Sequence, residues 1–378
     1  MLAGGRAPVA LDLTRKFNRN GCEVYIAESI PIYLTRYSNK VKKTYHVPVP
    51  NRNPVQYIAA LMEIVEKEKI DYVIPTCEVA FFIAWSKEKL CLNGCRVFVD
   101  SLNKLELLHS KWNFMELLRD KGIIVPKTYL AKDLEEINEH LGKFKAGNKV
   151  VLKPEYSRFA AKVHECIVPV KELPDITISE YTPWVVQEHI EGRQFCTYSI
   201  AHGGKVVAHT TYRSVFTAGR GAAIYFSHLE HKNIELWVKN LCQSIEYTGQ
   251  IAFDFIEKPD GSIYPLECNP RTTSGMHLFS GEQLVDAIFM TNGSLHKPEQ
   301  IDRMVAPGMI LYGPGKAGWV KWWHSFKQAK DVIFDTDDLI PSFYQILTYA
   351  FLKYRSWREN VSIIEATSLD IEWNGERL

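Results

Sequence analysis

The chain has 378 residues, 46% of them apolar and 24% charged, with a formal net charge of +1. That length supports two or three domains with full cores, and the near-neutral balance excludes a global electrostatic pull toward nucleic acid or membrane, leaving only local patches. Eight cysteines are too sparse for a disulfide scaffold, and no histidine cluster completes a zinc site beside the close pair Cys91 and Cys95. A reducing, cytoplasmic setting is the expectation. No run of about 18 apolar residues marks a transmembrane helix, and no signal peptide is visible.

The opening, MLAGGRAPVALDLTRKFNRNG, reads as a glycine-rich turn leading into a helix over Pro8–Asn20. The strand expected before it is either very short or begins in residues preceding Met1. Gly4-Gly5 is either a simple tight turn or a cradle for an anion, with Gly5 as the candidate contact. Neither a GxGxxG nor a Walker motif is present. A strand over Glu23–Glu28 follows, then an amphipathic helix over Pro54–Lys69 with Ile58, Leu61, Met62 and Val65 on one face. Asp71–Pro75 reads as a short buried strand, Val79–Leu90 as a helix and Val97–Val99 as a strand. The alternation predicts a small parallel sheet with helices on its faces.

A second unit begins near Ser101. Leu102–Lys121 reads as one helix, in which Lys111 taken alone is a solvated lysine. Gly122–Lys127 leads into a strand, Asp133–Leu141 is a helix, and Asn148–Pro154 is an apolar strand closing on Lys153. A lysine there is costly unless its ammonium finds a partner. Trp184–Gln187 is another apolar strand, followed by Glu188, His189, Ile190, Glu191 and Gly192. Phe195–Ala201 and Lys205–Tyr212 form a hairpin about Gly203-Gly204. Arg213 and Arg220 flank a glycine-containing segment, where their guanidinium forks suit either a substrate carboxylate or surface ion pairs. Ile234–Tyr247 and Gly281–Thr291 are helices.

Between those helices lies IAFDFIEKPDGSIYPLECNPR, residues 251–271. Asp260 and Gly261 turn the chain, so Asp254 sits on one strand and Glu267 and Asn269 on its neighbour. Residues i and i+2 of a strand share a face, so Glu267 and Asn269 project together, with Leu266 and Cys268 directed to the core. Such oxygen ligands suit Mg²⁺, which uses few protein groups and usually also holds substrate phosphates. Arg271 follows and can hold a phosphate or carboxylate.

From residue 298 the character changes. This tail holds five of the nine tryptophans, with Lys316, Lys321, Lys327 and Lys330 among or near them. Phe343–Tyr354 is strongly apolar but too short to span a bilayer. The favoured reading is that these aromatics pack the tail onto the body; the rival is a surface that docks a partner or a membrane interface. Asp331, Asp335, Asp337 and Asp338 read as a solvated turn rather than a metal cluster.

In this order the motifs resemble those of the ATP-grasp enzymes, in particular the carboxylate–amine ligase and carbamoyl-phosphate-synthetase-like branch, over residues 1–297. The resemblance implies an α/β and α+β fold: a Rossmann-like pre-ATP-grasp domain (1–100), a small lid subdomain (101–186), a large subdomain with the metal site (187–297) and an aromatic-rich C-terminal extension (298–378). It implies ATP and Mg²⁺, with Mn²⁺ as an alternative. Lys111 and Lys153 would lie on the phosphates, and Gln187, Glu188, Ile190, Glu191 and Gln194 about the adenine and ribose. Asp254, Glu267 and Asn269 would hold the metal, and Arg271 with Lys153 would act in catalysis. Ser274 and His277 would fall near the acceptor, with Gly5, Arg213 and Arg220 as further substrate candidates.

Two departures stand out. EYSRFAAKV replaces the usual glycine-rich phosphate loop, with Arg158 and Lys162 as substitute phosphate contacts, and Gln194 stands where an acid is usual. The implied reaction joins a small-molecule carboxylate to an amine through an acylphosphate, releasing ADP and phosphate. The alternatives are a kinase-like phosphotransferase on the same scaffold or a catalytically reduced nucleotide-binding regulator. No nucleic-acid partner is expected, and a homodimer is left open.

Overall fold

The structure is a computed structural model and describes residues 1–92, 94–158, 162–219, 221–290 and 293–375. Its first unit is a parallel sheet of β1 (Leu2–Ala3), β2 (Tyr25–Glu28), β3 (Lys43–His46), β4 (Tyr72–Pro75) and β5 (Arg96–Val97), ordered β3-β2-β1-β4-β5. The central strand is the shortest kind: buried Leu2 and Ala3 pair with Ile26 and Ala27 on one side and with Ile74 and Pro75 on the other. Helices α1 (Pro8–Arg19), α2 (Pro54–Glu68), α3 (Val79–Trp85) and α4 (Lys87–Cys91) connect these strands. α1 starts on a proline, whose missing N–H belongs to the first helical turn, where no partner exists anyway. The helix expected over Val79–Leu90 is instead two, separated at Ser86.

The helix expected over Leu102–Lys121 is also two, α5 (Leu102–His109) and α6 (Lys111–Asp120). Ser110 between them is extended, and its hydroxyl accepts a 3.0 Å hydrogen bond from the Asn113 amide, an N-cap that restarts the helix. Lys111 therefore opens a helix rather than lying inside one. An antiparallel sheet follows, made of β6 (Thr128–Ala131), β7 (Lys149–Pro154), β8 (His164–Ile167) and β9 (Trp184–Glu188) in the order β6-β9-β7-β8, with α7 (Leu134–Leu141) packed on it.

The third sheet has seven strands. It uses β10 (Arg193–His202), β11 (Lys205–Ser214), then, beyond a small ribbon of β12 (Thr217–Ala218) and β13 (Ala222–Ala223), β14 (Tyr225–Leu229), β15 (Gly249–Glu257), β16 (Ile263–Asn269), β17 (Arg303–Met304) and β18 (Lys330–Asp331). Their order is β16-β15-β10-β11-β14-β17-β18, flanked by α8 (Lys232–Ser244) and α9 (Gly281–Phe289).

The C-terminal segment is part of this architecture. β17 and β18 extend the large sheet, and α10 (Ala306–Tyr312), α11 (Trp319–Gln328), α12 (Ile340–Glu359) and α13 (Ile363–Ala366) follow its edge. Trp373 is fully buried, with ring centroids 5.8 Å from Phe81 and 5.3 Å from Phe82. Arg6 binds Glu28 and Asp370, and Arg355 binds Asp370 at 2.9 Å, all four side chains being buried. The tail aspartates are engaged by the body of the protein. Asp331 accepts from the Ala306 and Phe334 amides, Asp335 and Asp337 pair with Arg19, and Asp338 takes Arg15 at 2.8 Å.

Candidate active site

β15 and β16 carry the acids. Asp254 pairs directly with Glu267, and Ala252 with Asn269. On the turn side of this pair Phe255 faces Pro265, so Leu266 is an extra residue and the ladder carries a β-bulge. A bulge re-aims the side chains beside it. Here it leaves Pro265 buried and Leu266 half-buried, a correction to the expected alternation, while Glu267 and Asn269 share one face. Asn269 donates to Glu267 at 3.4 Å and accepts from Arg271 at 2.9 Å, tying the arginine to the acids. Cys196 stands opposite Asp254 on β10.

Both predicted lysines converge on Glu267. Lys111, buried at the start of α6, sits 3.8 Å from the Glu267 carboxylate and donates to the backbone carbonyls of Glu155 and Ser157. Lys153, near the end of β7, is buried, and its ammonium makes no hydrogen bond or ion pair among the described residues. Burial pushes its ammonium down to about 8, with Glu267 and Asp254 opposing that and Lys111 reinforcing it. Burial works against the charge on Glu267, yet Lys111 and Lys153 hold it ionised; burial and the neighbouring Glu267 push Asp254 up. Arg271 also keeps a buried Nε with no hydrogen-bond partner.

The site is thus short of counter-charge in two senses. Two carboxylates face each other with one strongly disfavoured as an anion, which is the electrostatics a divalent cation relieves. A buried ammonium and a guanidinium N–H lack partners, which is the demand a phosphate or carboxylate meets. Asp254, Glu267 and Asn269 fit Mg²⁺ on chemistry, and among the described residues no group of three or more His, Cys, Asp or Glu side chains makes a fuller metal site.

The other predicted residues are distributed differently. Gln187 is buried and its amide donates to the Thr128 hydroxyl; Glu188 accepts from the Lys127 amide and, through its own N–H, donates to the Lys127 carbonyl at 2.7 Å. Ile190 is buried, Glu191 pairs with Lys149 at the surface, and Gln194 is exposed on β10. Gly192 is fixed by packing, since a Cβ there would stand 2.3 Å from the Glu257 carbonyl oxygen. Ser274 opens a short 3₁₀ turn after β16.

Three substrate candidates are engaged elsewhere. The Gly5 amide donates to Glu28 at 2.8 Å, so the anion at that turn is the protein's own carboxylate. His277 is buried against Asp12 at 2.6 Å. Arg213 lies over the Phe195 ring. Arg220 and the small pair Ala160-Ala161 lie outside the described residues.

The phosphate-loop expectation for Arg158 is corrected. Its Nε donates to both Glu78 oxygens at 2.6 Å, and the guanidinium also reaches the Trp373 carbonyl and Asn374. Glu78, held down to about 2 against its burial by Arg158 and His109, also accepts from the Trp373 amide and lies 3.7 Å from Arg271. Sequence reading missed Glu78 and Glu155. Glu155, buried and bonded to the Ser110 hydroxyl, couples the strand end to the cap that positions Lys111. The acid directly after the Lys-Pro pair was its signal; Glu78 had none, its partners being some 80 and 295 positions away. A cavity of about 610 Å³ opens beside this cluster, lined among others by Tyr156, Arg158, His164, Trp184 and Glu372.

A family model described as an ATP-grasp domain matches residues 108–275. The carbamoyl phosphate synthase large chain of Clostridium acetobutylicum is 24% identical over 238 residues, 59% of this chain and 22% of that protein. The same protein of Sulfolobus acidocaldarius is 23% identical over 246 residues, 61% of this chain and 23% of that one. The chain spans about a fifth of the length of these curated relatives. Among solved structures, N5-carboxyaminoimidazole synthetase from Staphylococcus aureus superposes with a TM-score of 0.59 at 14% identity, covering 82% of this chain and 83% of that one. An L-amino acid ligase from Bacillus licheniformis gives 0.58 at 14% identity, covering 79% and 76%. At such identities the likeness concerns the fold.

Proposed function

We propose, from the premise that this chain carries an ATP-grasp domain over residues 108–275, that it is an ATP-dependent carboxylate–amine ligase working through an acylphosphate. The observation that carries the reading is the under-paired cluster of Lys153, Asp254, Glu267 and Arg271. Its excess demand for both a divalent cation and an anion is what a magnesium–nucleotide pair satisfies together.

Lys111 and Lys153 would offset the charge of a nucleotide's phosphates. Asp254, Glu267 and Asn269 would hold Mg²⁺, which when bound neutralises and orients phosphate oxygens. Arg271, steadied by Asn269, has its Nε free to take an oxygen of the transferring phosphoryl group or of the carboxylate. A substrate carboxylate oxygen attacks the γ-phosphorus as the bond to the ADP oxygen breaks. An amine then attacks the acyl carbon, the C–O bond to phosphate breaks, and the amine's proton leaves with phosphate or solvent. No protein nucleophile is needed: the cluster acts by position and charge. The relatives named above, a carbamoyl phosphate synthase and an amino acid ligase, support this reaction class.

The test is ADP release from Mg-ATP with pooled carboxylates, with and without pooled amines, and mass spectrometry of the products. Carboxylate-dependent ADP release with amide formation is expected. A phosphorylated product that persists when amine is present would replace the ligase reading with a phosphotransferase.

A further inference from the structure

The C-terminal helices carry an apolar surface turned the wrong way for a core. Of the twenty-five large hydrophobic side chains exposed among the described residues, sixteen lie between Ile310 and Trp357. In α12 the pattern is regular. Phe343, Ile346, Leu347, Ala350, Tyr354 and Trp357 recur at the three- and four-residue spacing of one helix face, a stripe about 100° wide. That stripe faces solvent, with Ile346 80% and Trp357 77% exposed. The residues α12 buries are Pro341, Thr348 and Arg355, seven apart and on the opposite side. α11 adds Trp319, Val320 and Trp323, all exposed, with the Lys327 ammonium 4.8 Å from the Trp323 ring centroid. α13 packs on α12, and its half-buried Ile364 packs against the apolar cluster to which Trp322 of α11 belongs.

Charge distinguishes this surface from an ordinary protein interface. Lys321 and Lys327 on α11 and Lys353 on α12 are exposed and make no ion pair among the described residues, whereas Arg303 and Arg355 are held by Glu299 and Asp370. Of the four aspartates between α11 and α12, Asp338 is buried on Arg15 and Asp331 accepts from backbone amides, while Asp335 and the exposed Asp337 pair with Arg19. Lys353 and Arg358, both exposed, flank the α12 stripe on either side, Arg358 being paired with Glu359. A second copy of the chain docking face to face would set the exposed lysines of α11 and α12 against one another, which disfavours self-association. Exposed tryptophan and tyrosine between lysines instead suit a boundary that is apolar below and anionic above.

We infer that α11 and α12 form a peripheral docking surface for an anionic lipid bilayer. No helix of the described residues is long and apolar enough to cross a membrane; the helices lie on the boundary, with aromatic side chains in the headgroup region and lysines at the phosphates. The inference is independent of the ligase reading.

The test is sedimentation of the full chain with vesicles of phosphatidylcholine alone and of phosphatidylcholine with about one-third phosphatidylglycerol, read together with tryptophan emission. Binding and a blue shift are expected with the anionic vesicles, weakening as salt rises, and little with the neutral ones. The triple variant Phe343→Ser, Ile346→Ser, Trp357→Ser should lower partitioning about tenfold or more, and Lys321→Glu with Lys327→Glu should abolish the preference for anionic lipid. Both should keep the wild-type melting curve, because the altered side chains are exposed. Absence of binding to either vesicle, or binding that the triple variant leaves unchanged, would overturn the inference. A dimer that the same three substitutions dissociate, without vesicle binding, would assign the face to a second copy of the chain.

Discussion

Two charge clusters in this protein, one buried and one partly open to solvent, are built on opposite plans. Around Arg6, one guanidinium meets Glu28 and Asp370, Arg355 takes a further Asp370 contact, and the Gly5 and Ser29 amides complete Glu28. Around Glu267, Lys153 has no ion-pair partner among the described residues, Arg271 keeps an unpartnered Nε, and Asp254 is pushed up beside a second carboxylate. The first cluster is closed in its carboxylates, although Arg355 Nη1 keeps no hydrogen-bond partner, and the second is open. Closed clusters hold parts of a chain together, because breaking one leaves a buried charge uncompensated. Open ones carry an electrostatic cost that a ligand relieves, which is how function and stability come to oppose each other.

The comparison predicts its largest effect at the open cluster. Glu267→Gln should lower ADP release by about a hundred- to a thousandfold, or about 3–4 kcal/mol of transition-state stabilisation, while its melting temperature stays at or above that of the wild type. A melting temperature that falls along with the activity would mean that the acid pair is architectural.

Arg6→Met, at the closed cluster, should cost about 3–5 kcal/mol of stability in denaturant unfolding, since Glu28 and Asp370 lose their shared cation. A loss below about 1 kcal/mol would put the two clusters in one class.

Next comes the pH dependence of Lys153. Its folded value near 8 lies below the ordinary 10.5 of a lysine. The free protein therefore loses the ammonium as pH rises through about 8, and nucleotide affinity should fall there by up to about tenfold per pH unit. Lys153→Arg should flatten this profile, because a guanidinium stays protonated. Stability runs the other way. Between about 8 and 10.5 the unfolded chain binds a proton that the ligand-free folded chain does not, so stability rises with pH across that window. Lys153→Met should lack the rise.

The smallest effect is expected at Arg19, whose pairs with Asp335 and Asp337 are partly solvated. Arg19→Ala should change stability by less than about 1 kcal/mol. A larger loss would show that the tail depends on this surface contact as much as on Arg15, Arg6 and Trp373.

What could be read from the sequence follows the range of the interactions. The Asp254–Glu267–Asn269 hairpin was legible because a DG turn and two-residue alternation are local signals. Lys153 was legible as an anomaly, a charge closing an apolar strand. The bulge at Leu266 was not, since it is defined by a partner strand, and neither was the break at Ser110, whose hydroxyl is fixed from both Asn113 and Glu155. The strands β8, β17 and β18 are too short to announce themselves and exist by pairing. The tail was half legible: Trp322 and Trp373 pack inward as favoured, but the α12 stripe faces solvent although its periodicity is that of a core-facing helix. The Glu78–Arg158–Trp373 junction joins three distant segments, and no local pattern encodes it.

The central claim is that the open cluster is the binding site of a divalent-cation–nucleotide pair. It is tested most directly by titrating ATP calorimetrically into the wild type and Glu267→Gln, each with and without Mg²⁺. The account predicts binding to the wild type that Mg²⁺ strengthens, and a loss of that strengthening in the variant. Absence of binding to the wild type, or Mg²⁺-dependent binding that Glu267→Gln leaves intact, would contradict it.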